Sequence, residues 1–279
     1  MKESILEVKN LHFAYDGHHT VLDGISLSVF AGERIAILGS NGAGKSTFFL
    51  NLNGVLTPAE GEISYRGTKI TRKTLKKLRQ NIGIVFQDAD NQIIASSVLA
   101  EVSFGPMNLK LPRSEVEERV NTALNYMNIS QFKDRPPHYL SGGEKKRVSI
   151  ADIIAMKSEI IIFDEPTASL DPLNAAMLEE VLEKLSREGK TLLLSTHDVD
   201  FAYHFADRIL VFGNGRILAD GTPLEVFKNI SVLKQANLKR PLLLDVCEDL
   251  AAHGLLPKGS FYPRDFSEFH SYLAQRNSI

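Results

Sequence analysis

Gly39-Ser40-Asn41-Gly42-Ala43-Gly44-Lys45-Ser46-Thr47 sets glycine, four residues, glycine, lysine and serine in the order that holds phosphate. Glycines let the backbone curl so that successive N–H groups converge on phosphate oxygens. A helix opening at Lys45 aims the positive end of its dipole at the same anion. Lys45 brings a point charge to the β and γ phosphates. The Ser46 hydroxyl suits Mg²⁺, a hard cation that prefers oxygen. A glycine-rich turn could match this spacing by chance, but here it lies between a buried-strand pattern and a helical one, as the motif demands. Nucleotide phosphate binding follows; kinase, GTPase and ATPase chemistry all stay open.

A second group is acidic. Ile160-Ile161-Ile162-Phe163-Asp164-Glu165 reads as a buried strand that ends in two carboxylates. In open parallel sheets, ligands bind at the carboxyl ends of the strands. Asp164 would then face the Mg²⁺ site. Glu165, one residue beyond, could polarise a water beside the γ-phosphate as a general base. Alone, such a strand end is as readily a solvated terminus. With the phosphate loop upstream, the catalytic reading prevails.

Leu140-Ser141-Gly142-Gly143-Glu144 opens a further helix, 141–157, and is another helix-start anion site. It is redundant within a chain that already has a phosphate loop. It makes sense if Ser141, Gly142 and Gly143 close over the nucleotide of a second subunit. On these residues the sequence resembles the ATP-binding cassette (ABC) ATPases, over about residues 4–224. The resemblance extends to Tyr15 as the aromatic that stacks on adenine and to Gln87 as the glutamine that senses Mg²⁺ and water. It extends also to Ser169-Leu170-Asp171 as the loop that communicates across the dimer, and to His197 as the switch histidine at the γ-phosphate. Ser158, where relatives often carry proline, is a minor departure.

The resemblance implies ATP with Mg²⁺ as cofactors. Residues 39–47, Tyr15 and Ser141–Gly143 would hold nucleotide; Ser46, Gln87 and Asp164 would hold the metal. Glu165, His197, Lys45 and Gln87 would do the chemistry. It further implies two ATP·Mg²⁺ sandwiched head to tail between two cassettes, either two copies of this chain or this chain with a paralogue. Taken singly, Tyr15 and His197 would be ordinary packing residues. The remaining histidines, including His18-His19 in a turn, are read as structural. Lys145-Lys146-Arg147 and the basic stretch Lys69–Arg79 are read as solvated helix faces.

The elements that must position these groups follow from hydrophobic periodicity. Ile5–Val8 and Ile25–Val29 alternate like half-buried strands. Asp16-Gly17 and Asp23-Gly24 read as turns. Arg34–Leu38 is a nearly continuous apolar run, as in a strand buried on both faces, and is followed by a helix over 45–52. Helical spacing covers Glu101–Phe104 and Ser114–Met127, with Ser114 and Glu117 as a capping box; Pro106, Pro112, Pro136 and Pro137 punctuate the helices. Then come strand 160–163, helix 174–187, strand 191–195, helix 199–206 and strand 209–212. That alternation implies a parallel α/β sheet. Gly213-Asn214-Gly215 is a hairpin turn. The expected fold is the α/β P-loop NTPase fold of ABC ATPases, with an antiparallel β subdomain and a helical signature subdomain at about 90–158. The nucleotide-binding domain spans 1–224. Residues 225–279, with two short amphipathic stretches, form a C-terminal extension read as a dimer contact or as a tail packed on its own domain.

Composition narrows the classes. Apolar residues make up 43% and charged residues 24% of the 279, ordinary globular usage, which argues against a disordered or fibrous chain. The net charge of −2 gives no global field for nucleic acid. A single cysteine, Cys247, excludes an internal disulfide. The apolar runs fall short of the ~18 residues of a membrane span, and Met1–Ser4 is polar, unlike a signal peptide. These features predict a chain that starts in the cytoplasm, and the family resemblance implies a peripheral subunit on the cytoplasmic face of the membrane.

No heptad run separates Lys45 from Ser141, which argues against a DNA-maintenance ATPase. There is room for one cassette only, which argues against a two-cassette translation factor. Phe86–Ile94 with Val98–Pro106 resembles the energy-coupling factor branch of importers. The resemblance thus implies integral-membrane scaffold and substrate-capture partners and no nucleic acid; that branch includes cobalt, nickel and vitamin importers, and cobalt or nickel is the first reading of the cargo. A vitamin importer and a soluble regulatory ABC ATPase are the alternatives.

Overall fold

In the computed structural model, residues 4–17, 19–168, 170–257, 259 and 261–276 are described. In chain order the regular elements begin with β1 (Ser4–Ala14), β2 (Thr20–Phe30), β3 (Arg34–Leu38), α1 (Lys45–Leu52), β4 (Glu60–Tyr65), β5 (Thr68–Lys69), α2 (Leu75–Asn81) and β6 (Ile82–Val85). The helical insertion holds α3 (Val98–Asn108), α4 (Arg113–Tyr126) and α5 (Gly142–Met156). The chain then returns through β7 (Ile160–Phe163), α6 (Pro172–Arg187), β8 (Thr191–Ser195), α7 (Val199–Phe205), β9 (Arg208–Gly213) and β10 (Arg216–Gly221). It closes with α8 (Pro223–Lys228), α9 (Ile230–Gln235), α10 (Leu242–Ala252) and α11 (Phe266–Arg276).

Two sheets result. An antiparallel one runs β2-β1-β4-β5; a six-stranded one runs β10-β9-β3-β8-β7-β6, parallel except for the β9–β10 hairpin. The central strands are buried on both faces, and their side chains sort by the two-residue period of a strand. Ala36, Leu38, Ile161, Phe163, Leu192 and Leu194 enter the core on the helical side. Ile35, Ile37, Ile160, Ile162 and Leu193 enter the core shared with α1 and the antiparallel sheet. The strands at 160–163 and 191–195 and the helix at 45–52 stand where the periodicity predicts them.

Elsewhere the structure corrects the expectation. β1 and β2 each run eleven residues, longer than the alternating segments, because irregularities in their pairing carry the strands past the breaks in alternation. Asp23-Gly24 is therefore not a terminal turn but lies within β2, tied to the β9–β10 turn by Asp23 N–H to Gly215 O at 2.9 Å. Ser114 does not head a capping box. Pro112 lets the helix start at Arg113, and Glu117 accepts from Arg113 Nε at 2.8 Å instead. Pro106 sits inside α3 rather than beyond its end. Capping boxes form at Ser141–Glu144 and Thr222–Glu225.

From residue 223 onward the described residues form four helices, α8 to α11, rather than two stretches. Val226, Phe227, Val232, Leu233 and Leu244 join the core of the main body. Leu243, Cys247 and Leu256 build a small core of their own, packed with Phe261 and Phe269. Arg264 anchors this part by donating to the carbonyls of Tyr203, at 2.9 Å, and Ala206, at the end of α7.

Candidate nucleotide site

β3 delivers the chain into the 39–44 loop at the carboxyl edge of the sheet. Gly39 has φ 148, and a Cβ there would lie 2.3 Å from the Phe212 carbonyl oxygen, so only glycine lets the loop pass β9. Asn41 and Gly42 are exposed at the tip, and Ala43 and Gly44 are buried beneath it. Ser40 O accepts from Ala43 N and from Lys45 Nζ, each at 3.2 Å. No side chain caps α1 at Gly44, which leaves its first N–H groups without a capping side chain. Ser46 is exposed on the first turn. Thr47 Oγ1 lies 3.1 Å from Tyr15 Oη. The Tyr15 ring is 64% exposed and stands edge-on to Phe13, an open flat surface beside the loop.

Lys45 Nζ donates to Gly39 O at 2.8 Å and lies 3.8 Å from Glu165 Oε1. Burial lowers its ammonium below the ordinary range, against the pull of Glu165 and Asp164. Glu165 gathers the other reactive groups: its Oε1 is 2.7 Å from His197 Nε2, and Gln87 Nε2 donates to its Oε2 at 3.4 Å. Lys45, Gln87, Glu165 and His197 thus converge from four separate strand ends.

Asp164 is buried beside them, 7% exposed. Its Oδ1 accepts from Ser195 Oγ at 2.6 Å, and the same Oγ accepts from the Glu165 N–H at 2.8 Å. Glu165 has φ 44, a left-handed conformation unusual for a residue with a side chain. Ser195, fully buried at the end of β8, therefore fixes both carboxylates. Sequence reasoning passed over it: Ser195 lay inside the motif that carries His197, and nothing in its type announces the role.

Ser141, Gly142 and Gly143 begin α5, with Ser141 N–H donating to Glu144 Oε2 at 2.7 Å and Glu144 N–H to Ser141 Oγ at 3.3 Å. Among the described residues, no hydrogen bond or ion pair joins these three to residues 39–47. Their neighbour is the turn into α6. A Cβ on Gly143 would stand 2.8 Å from the amide of Asn174, which Asp171 holds by two hydrogen bonds at 2.9 and 2.7 Å. Of the communicating loop, Ser169 lies outside the described residues, as does His18 of the histidine pair. His19 is exposed and its Nδ1 is 2.8 Å from Asp16.

The solvated-face reading holds for Lys69–Arg79, whose cations are exposed. It fails for Lys146, which is 4% exposed and donates to the carbonyls of Phe86 and Gln87. Four methylenes let its ammonium cross an apolar helix face to reach them. Burial pushes that ammonium down to about 8 although Asp88 and Asp164 lie near.

The family model described as ABC transporter matches residues 22–168. The energy-coupling factor transporter ATP-binding protein EcfA of Methanocaldococcus jannaschii is 46% identical, covering 91% of each chain. The structure of cbiO1 from Clostridium perfringens, part of the ABC transporter complex cbiONQ, superposes with a TM-score of 0.74 at 43% identity, covering 85% of this chain and 95% of that one. An ATP-binding cassette seen as a dimer in a post-hydrolysis state with ADP and Pi gives 0.71 at 30% identity, covering 78% and 99%. A phosphate loop, an acidic strand end and a histidine on one sheet edge, with these likenesses, place the chain in one family: it belongs to the ABC transporter ATP-binding domains.

Proposed function

We propose that this chain is the ATP-hydrolysing subunit of an importer of the energy-coupling factor type. It works as one of a pair of cassettes on the cytoplasmic face of a membrane. The observation that carries the reading is the separation of two half-sites. The phosphate loop, Gln87, Glu165 and His197 are together, while Ser141–Gly143 open a helix elsewhere. Each half-site is completed by a second cassette placed head to tail, with triphosphate between the two surfaces. The likeness to a cassette dimer with ADP and Pi supports this pairing. The relatives named for energy-coupling factor transport support the importer branch.

In the closed pair, Tyr15 offers its face to adenine and residues 39–47 wrap the phosphates. Lys45 gives up its loop carbonyls for phosphate oxygens. Ser46, Gln87 and Asp164 present the oxygen donors a Mg²⁺ ion prefers, and when bound that ion offsets phosphate charge. Glu165 takes the proton of the attacking water, and its 2.7 Å contact to His197 fixes the carboxylate toward the γ-phosphate side. His197 and Lys45 then face the charge that develops on the transferred group.

The extension past residue 224 is proposed as a further contact of the pair, because Leu242, Val246, Leu255 and Phe266 leave it an apolar outer surface. Among the described residues no helix is long and apolar enough to cross a membrane. On the likeness to energy-coupling factor and cbiONQ subunits, a membrane scaffold and a substrate-capturing subunit are proposed as partners, docked near the segment after Gln87. For cargo, cobalt or nickel ions are the first reading and a vitamin the second; the resemblance of Phe86–Pro106 reaches only the importer branch. Purification of the tagged chain from gently solubilised membranes would identify the capture subunit; soluble partners alone would favour a regulator.

The direct test is Glu165→Gln. It should bind ATP, hydrolyse it at least about 100-fold more slowly, and accumulate a dimer on size-exclusion chromatography with light scattering. Turnover at the wild-type rate would refute the role of Glu165.

A further inference from the structure

The placement of His197 depends on the helix that follows it. Asp198 caps α7, its side chain accepting from Phe201 N–H at 2.9 Å, so His197 stands one residue outside a helix of seven residues. A helix that short has little stability of its own. Phe201, Ala202, Tyr203 and Phe205 set its depth by joining the main core. Such apolar contacts are non-directional. Directional bonds at its two ends come from the C-terminal extension.

At the first turn, Asp200 Oδ1 accepts from Leu242 N–H at 2.6 Å. Leu242 opens α10, whose N-cap, Pro241, supplies no capping side chain, so α7 satisfies the start of α10 from outside. At the last turn, Arg264 donates to Tyr203 O through Nε at 3.0 Å and Nη2 at 2.9 Å, and through Nη2 to Ala206 O. A cation is favoured at that end of a helix. Beside it, His204 Nδ1 lies 3.6 Å from Asp265 Oδ2. Arg264 is itself fixed, its N–H donating to Glu268 Oε2 in α11 at 2.8 Å. Both grips spring from one small body, because Leu243, next to Leu242, shares a core with Phe261 and Phe269 on either side of Arg264.

We propose that the extension clamps α7 at both ends, and that Asp200 and Arg264 are positioning residues for His197, setting the imidazole that faces the γ-phosphate. The inference rests on the reading of His197 as a hydrolytic group. It gives the extension a part in the reaction within one chain, separate from any contact between chains. Asp200 and Tyr203 lie three and six residues past His197, about 4.5 and 9 Å at the rise of a helix, so a shift at either grip reaches the imidazole through one continuous segment.

The test uses the full chain with Arg264→Met and Asp200→Ala, each removing one grip. Beside them stand Arg264→Lys, which keeps a charged donor, and Asp200→Asn, which keeps an acceptor. A misplacement of about 1 Å costs about 100-fold in rate, so a shift of half that costs about ten-fold. We expect that loss of kcat in the Met and Ala variants, with partial recovery in the Lys and Asn variants. KM for ATP should stay within about two-fold, because no cradle atom is touched. With histidines labelled at Cε1, the His197 resonance is identified by its absence in His197→Gln. It should move in the Met and Ala variants before nucleotide is added, a readout that lost stability alone does not supply. Pairing on ATP in the Glu165→Gln background should be unchanged.

Wild-type kcat in folded Arg264→Met and Asp200→Ala, with the His197 resonance unmoved, overturns the inference, while a slow His197→Gln keeps the hydrolytic reading. Wild-type turnover by His197→Gln ends both. A lower kcat that follows lost pairing, with the resonance unmoved, assigns the extension to contact between chains and overturns the inference. If Arg264→Met melts early, Asp200→Ala decides, since it loses a single exposed hydrogen bond. A moved resonance with lowered kcat supports the clamp, and an unmoved resonance with wild-type kcat overturns it.

Discussion

Ser195→Ala removes one oxygen that serves both carboxylates of the site. In the native chain that hydroxyl is fully buried, donates to Asp164 at 2.6 Å and accepts from the Glu165 N–H at 2.8 Å. A hydrogen bond to a charged acceptor contributes about 1.5–3 kcal/mol, and a buried N–H left unpaired costs about 1–3 kcal/mol. The two losses overlap as the loop relaxes, so a destabilisation of about 2–4 kcal/mol is expected. Glu165 at φ 44 is held in a conformation that costs a non-glycine residue about 1–2 kcal/mol, and its N–H bond to Ser195 opposes that cost. Released, it relaxes toward ordinary backbone angles and draws its carboxylate off His197. A displacement near 1 Å reduces rate about 100-fold. We expect kcat to fall about 10- to 100-fold with KM for ATP within about three-fold, because the phosphate loop is untouched. Steady-state phosphate release and a thermal melt measure the two effects. A kcat within two-fold of wild type, with the melting temperature lowered, would show that Ser195 only fills space and that Glu165 is placed by other contacts.

Ser141→Arg removes an N-cap, at about 0.5–2 kcal/mol, and sets a long cation on the half-site offered to the partner. Nucleotide binding by the monomer should persist while hydrolysis drops at least about ten-fold, and unimpaired phosphate release would sink the composite site. Asp152 has its carboxyl pushed up to about 7 by burial and then by Glu101, against a hydrogen bond from Gln92. The folded state therefore holds a proton that the unfolded chain sheds near pH 4, so this stabilisation is present at low pH and is lost as pH rises through about 7. Between pH 6 and pH 8 the loss is about 1.4 kcal/mol. Asp152→Asn should flatten the pH dependence of melting over that range, and parallel curves for the two proteins would contradict the assignment.

What could be read from residue order alone was whatever depends on neighbours in sequence. Arg34–Leu38, the loop at 39–44 and the helix from Lys45 declare themselves through an unbroken apolar run, glycines and a lysine. The strand at Ile160–Phe163 and its terminal carboxylates do so in the same way. What resisted reading depends on distant partners. β4, β5 and β6 had no counterpart in the sequence reading, and α2 only the basic helix face read over Lys69–Arg79. β4 has an exposed start and takes its place by pairing with β1, far earlier in the chain, and with β5. Glu117 would have served a capping box at Ser114, but Pro112 moved the helix start and left it to Arg113. Lys146 stands in a run of cations and looks solvated until carbonyls 59 and 60 positions away are brought over it. Ser195 looks like the end of a strand until Asp164, 31 residues earlier, is placed against it.

The order of strands in the six-stranded sheet also governs how the chain is made. β3 carries the phosphate loop, yet its partners are β8 and β9, and the ion pair that closes its base joins Arg34 to Asp207, 173 residues later. At about 5–20 residues per second on the ribosome, β3 waits roughly 8–31 s after its synthesis before β8, the first of its neighbours, is complete. During that interval the β1–β2 hairpin can pair, but Ile35–Leu38 have no strand beside them and Gly39 has no β9 to pass. The nucleotide cradle is thus translated well before the strands that flank it and is assembled only after them. The nascent chain must keep an apolar strand from pairing wrongly until β8 and β9 emerge.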